Sequence, residues 1–370
     1  MAKDGPFEIF LVGPPGLETL LAEEAREAGF ADARAVPGGA TLSGGWPEVW
    51  RANLALRGPT RVLVRIGAFR ALHLAQLDKR ARKFPWGDFL APDVPVRVEA
   101  TCRASRIYHA GAAAQRIETA LREELGAPIG TEGLRVLARI EDDLCSFSLD
   151  ATGESLHKRG HKLAVGKAPL RETLAALFLR ACGYRGDEPV VDPMCGSGTF
   201  VLEAAEIAAG LAPGRTRGFD FERMAGFNAA AWAAMKAEVR PGFPGVRFHG
   251  FDRDQGAIQM AGQNAARAGV GEWVAFGRKP ISELQPPEGP AGLVMVNPPY
   301  GGRIGEKVPL HGLYGALGAV LRDRFAGWRV GIVTSEAGLA RATGLSFRPP
   351  GPPVDHGGLK IRLYSTGALG

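Results

Sequence analysis

Three short strings in the chain hold residue types suited to binding a nucleoside and acting on an amine. The first is Asp192-Pro-Met-Cys-Gly-Ser-Gly-Thr199. A carboxylate leaves a short apolar run, and Gly196 and Gly198 let the backbone approach a ligand closely before a helix begins. No Gly-Lys-Ser/Thr follows and the spacing is not GxGxxG, which disfavours phosphate. Asp192 instead offers negative charge to a cationic or zwitterionic ligand. The second string is Gly250-Phe-Asp252, one βα unit later. An acid at that strand end is placed to accept hydrogen bonds from both hydroxyls of a ribose. Asp254 competes for this role but equally suits the N-cap of the next helix. The third string is Asn297-Pro-Pro-Tyr300. Consecutive prolines stiffen that turn and leave its carbonyls pointing outward. The side-chain carbonyl of Asn297 and the backbone carbonyl of Pro298 together accept both hydrogens of an exocyclic amine, drawing its lone pair out of conjugation. Tyr300 adds a flat face on which a base stacks.

These strings need strands to carry them. Residues 190–192 and 246–252 read as strands, each followed by a helix (199–209 and 255–268). The continuous apolar run 292–296 (GLVMV) is typical of a buried parallel strand. A helix over 310–324 and a strand over 328–334 complete an open, doubly wound α/β sheet, whose ligands bind at the carboxyl ends of the strands. The first half differs. Strands over 7–12, 61–69, 94–102, 134–140 and 145–149 alternate with helices over 17–28, 73–83 and 111–125, as in small α+β modules. The polar stretch 152–168, with three glycines and no period, reads as a junction. The expected organisation is an N-terminal region 1–155, a basic linker 156–168 and a catalytic domain 169–370.

Composition narrows the class. A chain of 370 residues, 45% hydrophobic and 23% charged, is ordinary globular material that needs no staple. Cys102, Cys145, Cys182 and Cys195 are too few and too scattered for a zinc site or a disulfide framework, so no metal is expected. The start lacks a long apolar h-region, and nowhere do eighteen apolar residues run together. A cytoplasmic protein that does not enter a membrane is expected. Net charge is +6, and its distribution says more than its size. Residues 61–83 hold seven basic side chains (including Lys79, Arg80, Arg82 and Lys83) against the single acid Asp78. Residues 157–171 hold Lys158, Arg159, Lys162, Lys167 and Arg171 with no acid. Such local excess suits a polyanion.

The DPMCGSGT string resembles the first S-adenosylmethionine motif of class I methyltransferases. Asn-Pro-Pro-Tyr resembles the signature of those that modify planar exocyclic amines, adenine N6 or guanine N2. Pyrimidine C5 methylation needs a thiolate near this loop, and no cysteine lies there; Cys195 reads as a small residue packed against the cofactor. Over essentially its whole length the chain resembles the THUMP-domain-containing guanine-N2 RNA methyltransferases, most closely the bacterial 23S rRNA members. GESLHKRGHK, APLRETLAA, DPMCGSGTFVLEAAEIA, APGRTRGFDFERM, NPPYGGRIGEK, LYGALG and GGLKIRLY carry the likeness, with GLETLLAEE, NLALRGPTRVLVRIGAF and Pro85-Trp86 upstream.

The resemblance implies a Rossmann-like class I methyltransferase domain preceded by an α+β ferredoxin-like and THUMP RNA-binding region. It implies S-adenosyl-L-methionine as cofactor and N2-methylguanosine in 23S rRNA as product. Asn297, Pro298, Pro299 and Tyr300 would be catalytic, and Asp192, Met194, Cys195, Gly196, Gly198, Thr199 and Asp252 would hold the cofactor. On this reading Lys79, Arg80, Arg82 and Lys83 grip RNA, while Lys158, Arg159 and Lys162 guide the target strand. Arg303 contacts the substrate backbone or pairs with Glu306. The alternatives are a tRNA guanine-N2 methyltransferase of the same architecture and a non-catalytic RNA-binding or ribosome-assembly factor; a DNA adenine methylase shares the signature but has no use for the first half. One departure stands out: where the family carries an acid after the third strand, toward the cofactor adenine, this chain has Pro280, preceded by Arg278 and Lys279.

Overall fold

A computed structural model describes residues 5–163, 170–239, 241–300 and 307–370. Two compact units emerge. One comprises Met1–Gly13, Leu21–Leu156 and Arg217–Glu238; the other comprises Pro14–Leu20, His157–Thr216 and Val239–Gly370. The expected boundary near residue 155 is therefore crossed by two excursions, and the segment expected to be a linker belongs to the second unit from His157 onward. Lys167, Arg303 and Glu306 lie outside the described residues.

The first unit opens with β1 (Phe7–Val12), α1 (Glu18–Glu27), β2 (Arg34–Val36), β3 (Gly39–Gly44), α2 (Trp46–Ala55) and β4 (Arg61–Arg70). Its four strands lie in the order β2-β3-β1-β4, all antiparallel, which is the β-α-β-β-α-β arrangement of a ferredoxin-like sheet. Next come α3 (Leu74–Ala81), β5 (Val96–Arg103), α4 (Ala110–Ala120), β6 (Leu134–Glu141) and β7 (Leu144–Asp150). These do not form a separate module. Because β4 is ten residues long, it pairs with β1 over its first half and with β7 from Leu63 to Arg70, giving one seven-stranded sheet, β2-β3-β1-β4-β7-β6-β5. A bulge between Arg65 and Gly67 bends β4. Gly67 lies at φ +154, and a Cβ there would meet the Phe84 ring at 3.0 Å. Below it, Phe69, Phe84, Trp86 and Phe147 pack ring to ring. The Trp86 indole donates to the Ala81 carbonyl at 2.8 Å, so Trp86 serves as a core anchor while Pro85 is exposed beside it.

The second unit contains α5 (Glu172–Ala181), β8 (Val190–Asp192) and α6 (Thr199–Ala208). After α7 (Ala229–Glu238), which belongs to the first unit, come β9 (Phe248–Asp252), α8 (Gln255–Ala268), β10 (Val274–Arg278), β11 (Leu293–Val296), α9 (Lys307–Arg324), β12 (Arg329–Thr334), α10 (Ala337–Ala342), β13 (Val354–His356) and β14 (Leu359–Ser365). The sheet order is β10-β9-β8-β11-β12-β14-β13, with β12, β14 and β13 antiparallel and the remaining pairs parallel. Strand order reverses at β8, between β9 and β11, and that crevice is where such sheets take ligands. β11 shows why its run is apolar throughout. Leu293 and Met295 enter the core on one face while Val294 and Val296 enter the core on the other. No helix among the described residues is long and apolar enough to cross a membrane.

Phe147 is fully buried among three aromatic neighbours. Phe147→Ala is expected to cost about 3–5 kcal/mol through lost burial and a residual cavity. Urea unfolding followed by tryptophan fluorescence checks this, and a loss below about 1 kcal/mol would mean that the cluster is not the support of the first sheet.

Candidate active site

The glycine string forms a loop between β8 and α6 that is held at several points. Asp192 is only 2% exposed, and its Oδ1 accepts from the Met194 amide at 3.0 Å. The Cys195 amide donates to the Phe251 carbonyl at 2.9 Å, and the Gly198 amide donates to the Cys195 carbonyl at 2.8 Å. The Gly196 amide donates to Asp252 Oδ2 at 3.1 Å. Gly196 (φ +52) and Gly198 (φ +89) are both left-handed, the latter as the N-cap of α6. Beyond Gly196, no atom lies within 4 Å of where a Cβ would stand. An L side chain would strain this turn and block the approach to its backbone. Met194 is half-buried against the core on one sheet face. Cys195 is buried, 3.1 Å from where a Cβ on Gly250 would stand, and that same Cβ would strike the Phe276 ring at 2.5 Å.

Asp252 ends β9 half-buried, its Oδ1 accepting from the Asp254 amide at 2.9 Å. A carboxylate offers about four lone-pair sites, so capacity remains for ribose hydroxyls. Asp254 caps α8 by accepting from the Gly256 amide at 2.7 Å, the N-cap role its position suits. Burial and, secondarily, the neighbouring Asp252 charge push the Asp192 carboxyl well above its usual range. No ion pair of the described residues neutralises either acid.

Asn297 begins the loop after β11. Its Oδ1 is buried and has no hydrogen-bond partner among the described residues. Leaving a buried acceptor unmade costs about 1–3 kcal/mol, which an incoming donor would relieve. Pro298 is buried beside it. Behind the loop, Tyr314 on α9 is fully buried and its hydroxyl donates to the Pro299 carbonyl at 3.4 Å. Tyr300 is partly buried against the cores on both faces of the sheet, and desolvation pushes its phenol up to about 12. Burial pushes the Cys195 thiol well above its usual value, so no reactive thiolate serves this site.

Several expected ligand-binding residues do other work. The Lys162 side chain is only 4% exposed: its Nζ donates to Thr199 Oγ1 at 2.6 Å and pairs with Glu172 at 2.7 Å. Thr199 thus spends its hydroxyl on Lys162. Arg159, 1% exposed, pairs with Glu203 at 3.0 Å, and His161 meets Glu206 at 2.9 Å. Neither Arg159 nor Lys162 can guide RNA; of that trio only Lys158 faces solvent. The sequence did hold the signal, because Glu203 and Glu206 sit in an otherwise apolar helix and buried acids require partners. Asn264 was also missed; it donates to the Ser197 carbonyl at 3.1 Å and braces the loop from α8. In the first unit Lys79, Arg80 and Lys83 are exposed and line an open depression with His73 and Gln76. Arg82 is not part of that cluster. It is tied to Asp78, Glu123 and Glu124 at 3.1, 2.5 and 3.0 Å. Pro280 follows β10, where the Lys279 amide bonds the Asp252 carbonyl at 3.0 Å.

Comparison with known proteins agrees with this fold. Residues 159–348 match the model of the UPF0020 family, described as the RMKL-like methyltransferase domain, and residues 8–63 match the RlmL ferredoxin-like domain. The chain belongs to the RMKL-like methyltransferase family. Within it, the chain is 36% identical to "Ribosomal RNA large subunit methyltransferase K/L" of Syntrophotalea carbinolica, over 92% of this chain and 51% of that one. It thus spans about half the length of the K/L relatives it matches. It is 31% identical to "Putative RNA methyltransferase slr0064" of Synechocystis sp., over 94% of this chain and 93% of that one. Among solved structures, a "predicted N6-adenine-specific DNA methylase" of Listeria monocytogenes aligns at 28% identity and TM-score 0.87, covering 98% of this chain and 96% of that one. A "putative methyltransferase complexed with SAH", SMU.472, shares the fold at 24% identity and TM-score 0.89, covering 100% of both chains.

In this RMKL-like domain Lys162 ties α5 to the start of α6. Lys162→Met, which strands the largely buried Glu172, is expected to cost about 3–5 kcal/mol of stability. Lys158→Met is expected to stay within about 0.5 kcal/mol of wild type. Thermal unfolding of the two variants compares them, and equal losses would refute the assignment of Lys162 to the interior.

Proposed function

We propose that the protein is an S-adenosylmethionine-dependent methyltransferase that forms N2-methylguanosine in 23S rRNA. The observation carrying the proposal is the buried, unpartnered Oδ1 of Asn297, next to Pro298 and at the strand-order reversal that also holds the glycine loop. The residues present fit the cofactor. Gly196 leaves open space at a left-handed turn, Asp252 ends the neighbouring strand, and two carboxylates without a cation of their own suit a positively charged ligand. When bound, S-adenosylmethionine supplies an electrophilic methyl group on a sulfonium.

The chain's own residues then do the positioning. Asn297 Oδ1 and the Pro298 carbonyl accept the two amine hydrogens, which fixes the amine and concentrates electron density on its nitrogen. Tyr300 stacks on the base, and the apolar packing around it excludes water. Tyr314 holds the loop from behind. Catalysis is positioning rather than covalent chemistry. The target base has to leave its stack to reach Asn297, so an accessible or partly unpaired RNA segment is the substrate. The exposed Lys79, Arg80 and Lys83 suit RNA phosphates in the first unit, which we read as the ferredoxin-like and THUMP half. The K/L relative's name supports ribosomal RNA, the "Putative RNA methyltransferase" of Synechocystis supports RNA over DNA, and action on ribosomal RNA would be cytoplasmic.

Incubating the protein with tritiated S-adenosylmethionine and unmodified 23S rRNA or tRNA transcripts, followed by nucleoside analysis, tests this reading. N2-methylguanosine in rRNA alone is expected. N6-methyladenosine would overturn the base, product in tRNA alone would overturn the polymer, and cofactor binding without any product would favour a binding factor. In the same assay Asn297→Ala is expected to lower kcat by about 10²–10³-fold, the loss typical of one preorganised polar contact. Because the Tyr300 phenol stays protonated up to about 12, Tyr300→Phe should retain turnover and the pH profile should show no Tyr300 ionisation in the neutral range. Tyr300→Ala should lose about 5- to 150-fold through stacking. A Phe variant as inactive as the Ala variant would assign the hydroxyl a chemical role and refute simple stacking.

A further inference from the structure

Four strand ends of the first unit lie side by side. β4 ends at Arg70, β5 ends at Arg103, β6 ends at Glu141 and β7 begins at Leu144, with Arg70 opposite Leu144 and Arg103 opposite Glu141. Five large apolar side chains are exposed among the described residues, and three of them (Leu72, Tyr108 and Leu144) belong to this edge. Tyr108 is the most exposed of the five at 84%. It sits in the loop between β5 and α4, one residue before the helix cap His109.

That loop is built. Asp143 Oδ1 accepts from the Arg106 amide at 2.8 Å, the Asp143 amide donates to Ser105 Oγ at 3.0 Å, and Ser105 Oγ donates to the Arg103 carbonyl at 2.8 Å. The Asp143 carbonyl in turn accepts from the Ala71 amide at 2.9 Å, and Arg70 reaches the Asp142 carbonyl at 3.0 Å. An aromatic ring is therefore presented to solvent on a braced backbone, which reduces the entropy lost when a ligand docks on it. Cations flank it. Arg103 and Arg106 are 81% and 71% exposed, and their contacts to Glu141 (3.7 Å) and Asp143 (3.9 Å) are loose surface pairs that a phosphate can replace. On the other side of Leu72, His73 opens the depression lined by Lys79, Arg80 and Lys83. One exposed ring flanked by two arginines, beside a lysine-lined depression, matches single-stranded nucleic acid, whose bases stack while its phosphates pair.

We propose that Tyr108, with Arg103 and Arg106, is a stacking platform for an unpaired base of the RNA substrate, distinct from the Asn297 loop. The proposal rests on the RNA methyltransferase reading. It commits to single-stranded RNA, since a base-paired helix has no free base face to offer.

Fluorescence anisotropy with the full-length protein, a labelled single-stranded oligonucleotide from 23S rRNA and the same sequence as a duplex tests the platform. Tyr108→Ala is expected to weaken single-strand binding about 5- to 150-fold, to leave duplex binding unchanged, and to leave the salt slope intact. Tyr108→Phe should restore binding. Arg103→Ala with Arg106→Ala should lower the magnitude of the log–log salt slope by about 1.4. Because Tyr108 is exposed, the fold should survive its replacement, and circular dichroism confirms that. Unchanged single-strand binding by Tyr108→Ala, with methylation of RNA by the wild type intact, would overturn the platform alone and leave this edge to a protein partner. A wild type that binds no RNA and methylates none would overturn the functional reading as well.

Discussion

The hydrogen bond from the Gly196 amide to the Asp252 carboxylate ties the end of one parallel strand to the loop leaving its neighbour. Its length, 3.1 Å, depends on two left-handed glycines on one side and on an acid held at a strand terminus on the other. Around it the remaining features fall into place. The Cys195 amide reaches β9, Asn264 reaches the loop from α8, and Gly250 admits Phe276 beneath it. A side chain at Gly196 would place bulk over the backbone that a ligand must approach, and loss of the Asp252 carboxylate would remove one of the several ties that hold the loop. The acid thus shapes the protein before any ligand arrives, with acceptor capacity left for that ligand.

Under this loop lies a set of acid–base contacts withdrawn from water. Lys162, Arg159 and His161 meet Glu172, Glu203 and Glu206, and Arg215 joins Glu206 at 2.7 Å. Such pairs offer little net stabilisation against an apolar alternative, because desolvation offsets their attraction. Their value here is geometric. They fix the segment from His157 to Lys162 along α6 and hold the first residue of that helix, Thr199, by its side chain.

How much of this was legible in the sequence depended on the range of the interaction. Glycine conformation, strand-end acids and the Asn-Pro-Pro-Tyr turn are local, and each lies where its string placed it. The strand-order reversal followed from the order of those strings. Charge was not legible by counting. Arg82 and Arg159 look alike in a basic run, yet one is shared by three acids from its own and a distant helix and the other is sealed in the interior. Arg82 has one partner at helical spacing, Asp78, but Glu123 and Glu203 lie 41 and 44 positions from the arginines they hold. The merging of two α+β halves into one sheet was hidden for a related reason: β4 bears apolar residues suited to a strand on either side, and only its length, ten residues, hinted at two partners. Tyr108 was silent because a lone tyrosine in a loop has no pattern until the fold sets it beside Leu72, Leu144 and two arginines.

The route of the chain has a consequence for inheritance and synthesis. It passes between its two units five times, lending Pro14–Leu20 to the second and Arg217–Glu238 to the first. Neither unit is a contiguous cassette, so no single cut yields a whole one, and a gene fusion that exchanged one half at residue 156 would leave both partners missing a strip. During translation the first unit lacks α7 until residue 238 has emerged, by which time the second already holds α5, β8 and α6 but none of its strands from β9 onward. Two units that could have been assembled from separate modules are bound here to be made, and to evolve, together.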